Sequence, residues 1–211
     1  MTRGYLITFE GGEGCGKSTQ VQRLAQRLAA QGRQTLLFRE PGGTPLGERI
    51  RELLRYHDPH EPPMCPLAEL LLFAASRAQL VAHVIAPALQ QGQVVIGDRF
   101  TDSTTVYQGL VRGVDRATLE ALQHKVTQGL SPDLTFWLDV PAPVGLDRVA
   151  RRTAQSADRL EQEPLAFHEA VRRGYATLAQ QEPGRFHRIE AQQSPEAIEQ
   201  EVWHVVSRLL G

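Results

Sequence analysis

Asparagine is absent from this chain of 211 residues, and lysine occurs only as Lys17 and Lys125. Without asparagine no guanine-reading N-K-x-D element can be built, which argues against a GTP-driven switch. Cys15 and Cys65 are too few and too irregularly spaced for a disulfide framework or a zinc site, and they fit a reducing compartment. Charge of one sign is also missing: 23 Lys and Arg against 24 Asp and Glu leave a net charge of -1. Neither nucleic acid nor a membrane surface is therefore an expected partner. No basic segment followed by a long apolar stretch opens the chain, so a signal peptide is not expected and a cytoplasmic location is. The longest apolar region, Leu67 to Leu89, is interrupted by Glu69, Arg77 and His83 and reads as a buried helix rather than a bilayer span.

What is present is a strand and helix alternation of ordinary globular composition. Tyr5 to Phe9, Gln34 to Arg39, Gln93 to Gly97, Asp133 to Leu138 and Phe186 to Ala191 read as strands. Helices are expected from Ser18 to Ala30, after the EPGGT turn, from Leu67, near Thr104, and over Asp115 to Gln128. Further helices are expected around Val144 to Arg151, Leu165 to Gln180 and Pro195 to Leu210. Tyr56 to Pro66, rich in proline, histidine and acid, reads as a loop. The expectation is a single domain over residues 1–211, of class α/β, with a doubly wound parallel five-stranded sheet flanked by helices. The helix from Leu67 is apolar nearly all round, so either the core wraps it or a second copy of the chain covers part of it.

Gly11, Gly12, Glu13, Gly14, Cys15, Gly16, Lys17 and Ser18 match G-x-x-x-x-G-K-[ST], between a strand and a helix as a phosphate-binding loop requires. Glycines let the loop curl so that backbone N–H groups face phosphates, and the helix that follows adds the positive end of its dipole. Lys17 should reach the β and γ phosphates of ATP, and the Ser18 hydroxyl should ligate Mg2+. The motif with Thr19 establishes nucleotide binding but does not choose among a kinase, a switch and a motor.

Other residues point to an acceptor. Phe73 and Arg77 lie four apart on one expected helix, so they share a face and can together grip a planar base; core packing and a surface cation are the plainer alternative. Asp98 and Arg99 leave the third strand at its carboxyl end, where open α/β sheets collect ligands, and there Asp98 can serve a metal. Arg151, Arg152 and Arg159, interleaved with Asp158 and Glu161, form either a closing lid over about residues 150–161 or a solvated charged face. Every cation except the two lysines is arginine, whose planar fork suits phosphate, although genomic base composition produces the same bias.

Taken in order, EGGEGCGKST, REPGGTPLGE, LLLFAASRAQL, GDRFTDST with VYQG, and DRLEQE resemble the thymidylate kinase family as far as residue 170. The resemblance implies a P-loop nucleoside monophosphate kinase fold. It also implies transfer of the γ-phosphoryl group of MgATP to dTMP, giving dTDP and ADP in dTTP biosynthesis; the apolar helix from Leu67 favours a homodimer. The resemblance places Phe73 on thymine, Arg77 on a base carbonyl, Arg99 on the dTMP phosphate and Asp98 by the metal. Ser103, Thr104 and Gln108 would surround the base, with Tyr107 under the sugar where a ribose 2′-OH would clash. Glu13 and Cys15 put no cation into the loop, so Glu13 would face the acceptor, and the charge of the transferring phosphoryl would fall to lid arginines, Arg151 and Arg159. A kinase for another nucleoside monophosphate or a deoxynucleoside, and a non-catalytic nucleotide-binding regulator, are the alternatives.

Lys17→Met is expected to abolish acceptor-dependent ADP release while the circular dichroism spectrum stays native; near-normal turnover would remove the loop from the reaction.

Overall fold

Five short apolar runs pair as one parallel sheet in the order β2-β3-β1-β4-β5, with β1 (Leu6–Glu10) central between β3 (Val94–Asp98) and β4 (Leu134–Asp139). The edges are β2 (Thr35–Arg39) and β5 (Phe186–Glu190). Our computed structural model describes residues 3–56, 60, 62–152 and 158–211. Residues 1–2, residues 57–59 and 61 of the expected loop, and residues 153–157 of the expected lid lie outside that description, as does the side chain of Arg152.

Period-two alternation sends Ile7 and Phe9 to one face of the sheet and Leu6 to the other. Ile7 and Phe9 join Val21, Leu24 and Leu28 of α1 (Lys17–Ala30) and Ile198, Val202 and Val206 of α9 (Pro195–Leu210). Leu6 joins Val95, Phe100, Leu80, Val81 and Ile85 on the opposite face. Helices on both faces explain why the strands are apolar without a solvent side.

Side chains fix several helix starts. Thr44 accepts from the Gly47 N–H and Pro45 opens α2 (Pro45–Arg55), while Ser194 caps α9 ahead of Pro195 and Asp115 caps α6 (Arg116–Thr127). The helix expected to run on from Leu67 is α3 (Pro66–Leu80), a π-helical turn (Val81–Ile85) and α4 (Ala86–Gln90). Pro87 has no N–H for the carbonyl four residues earlier, and the wider turn ahead of it accommodates that break. By length and composition alone Pro66–Gln90 could cross a membrane. Its inward residues include Glu69, Ser76 and Arg77, each held by partners from other elements. Beyond β3 come the short α5 (Thr101–Thr104) and a second π-helical turn (Thr105–Val111), and α7 (Ala142–Arg152) and α8 (Leu165–Gln181) flank β4.

The strands end one residue later than expected at β1 and β3, which brings Glu10 and Asp98 into the ladder. Phe9 pairs with Asp98, and Asp98 with Arg39, so charged residues line up along one edge. At that edge the chain turns through the glycine-rich loop into α1, whose N-cap, Gly16, has φ 96°. Gly14, at φ 68°, meets α7 backbone to backbone: a Cβ on Gly14 would lie 2.0 Å from the Gly145 carbonyl oxygen. A Cβ on Gly145 would lie 2.3 Å from the Glu13 carbonyl oxygen.

Gly145→Ala should therefore push on the phosphate loop itself. We expect a loss of about 1–3 kcal/mol in urea unfolding together with weaker ATP binding by calorimetry; if both stayed at wild-type values, the loop would be free to move away from α7.

Candidate active site

One cleft of about 310 Å³ runs along the carboxyl edge of the sheet. Gly14, Gly16, Lys17, Ser18 and Thr19 line one end, and Phe73, Thr104, Tyr107 and Gln108 the other, with Glu13, Asp98, Arg99 and Ser103 between them. Gly11, Gly12 and Cys15 form the back of the loop and do not line the cleft. Cys15 is buried and packs with the core, which is the space-filling role of a small apolar side chain.

At the first end Lys17 folds back over its own loop, its Nζ donating to the carbonyls of Gly12 at 2.9 Å and Gly11 at 3.2 Å. Ser18 Oγ donates to Asp98 Oδ2 at 2.5 Å, so the hydroxyl of the loop and the carboxylate of β3 face each other. Both are hard oxygen donors of the type Mg2+ takes, and an Mg2+ bound with nucleotide phosphates needs only one or two such groups from the protein.

Arg99 occupies the middle. Its φ of 71° is the left-handed region, uncommon for a residue with a side chain. Nη2 donates to Glu13 Oε1 at 2.6 Å and to Tyr107 Oη at 3.3 Å, while Nη1 donates to the Gly11 carbonyl at 3.1 Å and Ser103 Oγ at 3.0 Å. Burial pushes the Glu13 carboxyl up, but Arg99 and then Lys17 outweigh it and hold the group below its usual range. For the Tyr107 phenol burial wins and pushes its ionisation well above the usual value.

At the far end Arg77 lies buried behind Thr104. It forks onto Glu40, with Nε to Oε2 at 2.8 Å and Nη2 to Oε2 at 2.5 Å, and Nη2 also reaches the Phe100 carbonyl and Thr104 Oγ1. Nη1 is buried and makes no hydrogen bond. Arg77 itself does not line the cleft. Gln108 is held by Glu69, its Nε2 donating to Oε1 at 2.7 Å.

The arrangement departs from expectation at the lid arginines. Arg159 does not line the cleft: its Nη2 lies 2.5 Å from the buried Glu69 carboxylate, its Nε donates to the Leu54 carbonyl and its backbone N–H to that of Arg55. It docks the lid segment onto α2 and α3. Arg151 points to solvent, 79% exposed, and pairs with Asp147 one turn back along α7. Among the described residues the guanidiniums that do line the cleft besides Arg99 are Arg39, Arg51 and Arg55, joined from the lid by Asp158, Leu160 and Glu161.

Contributors that escape the sequence reading include Glu10, Tyr175, Arg51, Arg55, and the pair Arg39 and Glu40. A signal for three of them exists. If ligands gather at the carboxyl ends of parallel strands, the rule applied to Asp98 also selects Glu10 at the end of β1 and Arg39 with Glu40 at the end of β2. Tyr175 lies mid-helix in α8 and carries no such signal.

Removing Arg159 leaves Glu69 buried with less compensation, so Arg159→Ala should cost of order 3 kcal/mol of stability. Arg151→Ala should stay within about 0.5 kcal/mol in the same denaturant titration. The reverse ranking would show that Arg159 is not the docking residue.

A family model described as thymidylate kinase matches residues 9–202. The chain is 54% identical over 201 residues to a thymidylate kinase of Synechococcus sp. (strain JA-2-3B'a(2-13)), covering 95% of this chain and 93% of that protein. It is 47% identical over 207 residues to the thymidylate kinase of Deinococcus radiodurans, with 98% of each covered. A crystal structure of thymidylate kinase from Ehrlichia chaffeensis aligns with a TM-score of 0.76 at 33% identity, covering 97% of this chain and 99% of that one.

Proposed function

The chain belongs to the thymidylate kinase family, and from that premise we propose how its own residues carry γ-phosphoryl transfer from ATP to dTMP. The observation that carries the reading is the single cleft that joins the phosphate loop to Phe73, Thr104, Tyr107 and Gln108, with Asp98 and Arg99 between the two ends. A donor phosphate on the loop and an acceptor phosphate near Arg99 would then meet in the middle.

Lys17, now turned onto its own loop carbonyls, would swing to the donor phosphates, and the Gly11 to Thr19 backbone would cradle them. Mg2+ would be held by Ser18 and Asp98 together with the nucleotide, where it would supply neutralising charge for the transfer. Phe73 stacks on the thymine, and Arg77 Nη1, buried and without a partner, donates to a base carbonyl. Glu40 holds that guanidinium in plane by its fork of hydrogen bonds. Tyr107, fixed by its hydroxyl's bond to Glu13 Oε1 at 3.1 Å, stands beneath the sugar and disfavours a 2′-OH. Thr104 and Gln108 close the base end, and Ser103 contributes through its bond to Arg99.

A phosphate monoester is largely ionised at neutral pH and needs no general base. Positioning and charge do the work. Arg99 orients the acceptor oxygen for in-line attack. The developing negative charge meets the cations of the cleft, Arg39, Arg51 and Arg55 among them. Arg151 and Arg159 would join only if the segment at 150–161 repositioned them, since one faces solvent and the other is bound to Glu69.

The same reading extends to assembly and location. Leu46, Leu53, Leu67 and Leu71 are large apolar side chains left exposed on the neighbouring helices α2 and α3, the face we assign to a homodimer in the cytoplasm. ADP release from ATP with dTMP, dUMP, dCMP and dGMP in turn tests the substrate; equal rates with all four would overturn the thymine site, and no acceptor-dependent release would leave only a nucleotide binder. Phe73→Ala should weaken dTMP by about 1–2 kcal/mol with ATP unchanged; equal losses for both ligands would remove the stacking role.

A further inference from the structure

At the carboxyl end of β1 the Glu10 side chain turns inward, is fully buried and does not line the cleft. It nevertheless collects four donors. Oε1 accepts from the backbone N–H of Phe100 at 2.8 Å and of Ser103 at 3.3 Å, and Oε2 accepts from the hydroxyls of Ser103 at 2.6 Å and Tyr175 at 2.7 Å. Three of these donors are also tied to Arg99: the Phe100 N–H next to it in the chain and the two hydroxyls. The Arg99 N–H donates to the Phe9 carbonyl at 3.0 Å and the next N–H goes to Glu10, so consecutive residues of β1 bracket the left-handed turn on which Arg99 sits. The two hydroxyls on Glu10 then accept from Arg99 Nη1, Ser103 at 3.0 Å and Tyr175 at 3.4 Å.

Backbone and guanidinium of Arg99 thus share one buried reference point. We infer that Glu10 is a positioning residue that sets Arg99 for the phosphate of the acceptor, acting through Phe100, Ser103 and Tyr175 without touching substrate. The inference rests on the assignment of Arg99 to that phosphate. Burial, and after it the charge of Asp102, pushes the Glu10 carboxyl up to about 7 against the opposing pull of Arg99, Ser103 and Tyr175. An ionisable group is held here at a desolvation cost that filling space alone does not require.

The test compares two ligands that differ only in the group Arg99 is set to meet. Binding of dTMP and of thymidine, which has the base and sugar but no phosphate, is measured by calorimetry on the full chain, on Glu10→Gln and on Tyr175→Phe. Glu10→Gln places an amide N–H2 among donors and should weaken dTMP about tenfold while thymidine changes by less than about twofold. Tyr175→Phe keeps the carboxylate and the packing and should move the same ratio in the same direction by a smaller factor, which covers the case in which Glu10→Gln does not fold. Parallel losses for both ligands, or a wild-type preference for dTMP that survives in the variants, would overturn the positioning role alone. A wild-type chain that binds dTMP and thymidine alike would remove the phosphate assignment of Arg99, and this inference with it.

Discussion

The ion pair between Arg99 and Glu13 spans the two halves of the cleft, since one residue leaves β3 and the other belongs to the phosphate loop that leaves β1. It is joined there by the bonds from Arg99 to the Gly11 carbonyl, from Ser18 to Asp98 and from Tyr107 to Glu13. With it, the loop that holds the donor has its acidic residue fixed against the cation that faces the acceptor. Partial burial makes such a pair worth more than a surface contact, and removing either member would leave a charge poorly solvated. Arg99 and then Lys17 hold the Glu13 carboxyl below its usual range, and the Tyr107 hydroxyl, the Glu13 carboxylate and the Arg99 guanidinium bond one another in the middle of the site.

Two further ion pairs, Arg77 with Glu40 and Arg159 with Glu69, organise the Phe73 end of the cleft. Arg77 and Glu40 are almost wholly excluded from solvent, and Glu69 holds both Gln108 and Arg159. Buried pairs of this kind contribute little net stability compared with an apolar replacement, but they define orientation sharply, because a guanidinium forked on a carboxylate has one favourable plane. In the proposed function, recognition of a flat heterocycle would draw on this fixed orientation.

Local chemistry that repeats along the chain is legible in the sequence. The phosphate loop is readable because its spacing, its glycines and its flanking elements all serve one anion. Phe73 and the Asp98–Arg99 step are readable because helix periodicity and the parallel-sheet rule place them. The contact Arg159 makes is hidden from the sequence for a physical reason: a cluster of cations does not say which buried acid will hold one of them, and Glu69 lies ninety residues away. Arg77 is read as a base contact without its partner, since nothing local indicates that Glu40 would fold over it. The helical run from Leu67 is legible as a helix with a buried side, although Leu67 and Leu71 stay exposed, while the π-helical turn within it depends on how Pro87 is accommodated in three dimensions.

The backbone contact between Gly14 and Gly145 has a mechanical meaning. From Gly145 to Arg152, α7 extends about 10 Å from the phosphate loop toward the segment that carries Asp158, Leu160 and Glu161 into the cleft. Arg148 adds a second fastening, its Nη1 bonding the Ala191 carbonyl at 3.0 Å and lying 3.5 Å from that of Gly14. A helix fastened to the loop at both points takes its seat from the loop's backbone. Any change in the path of the loop at Gly14 would therefore bear directly on where α7 lies.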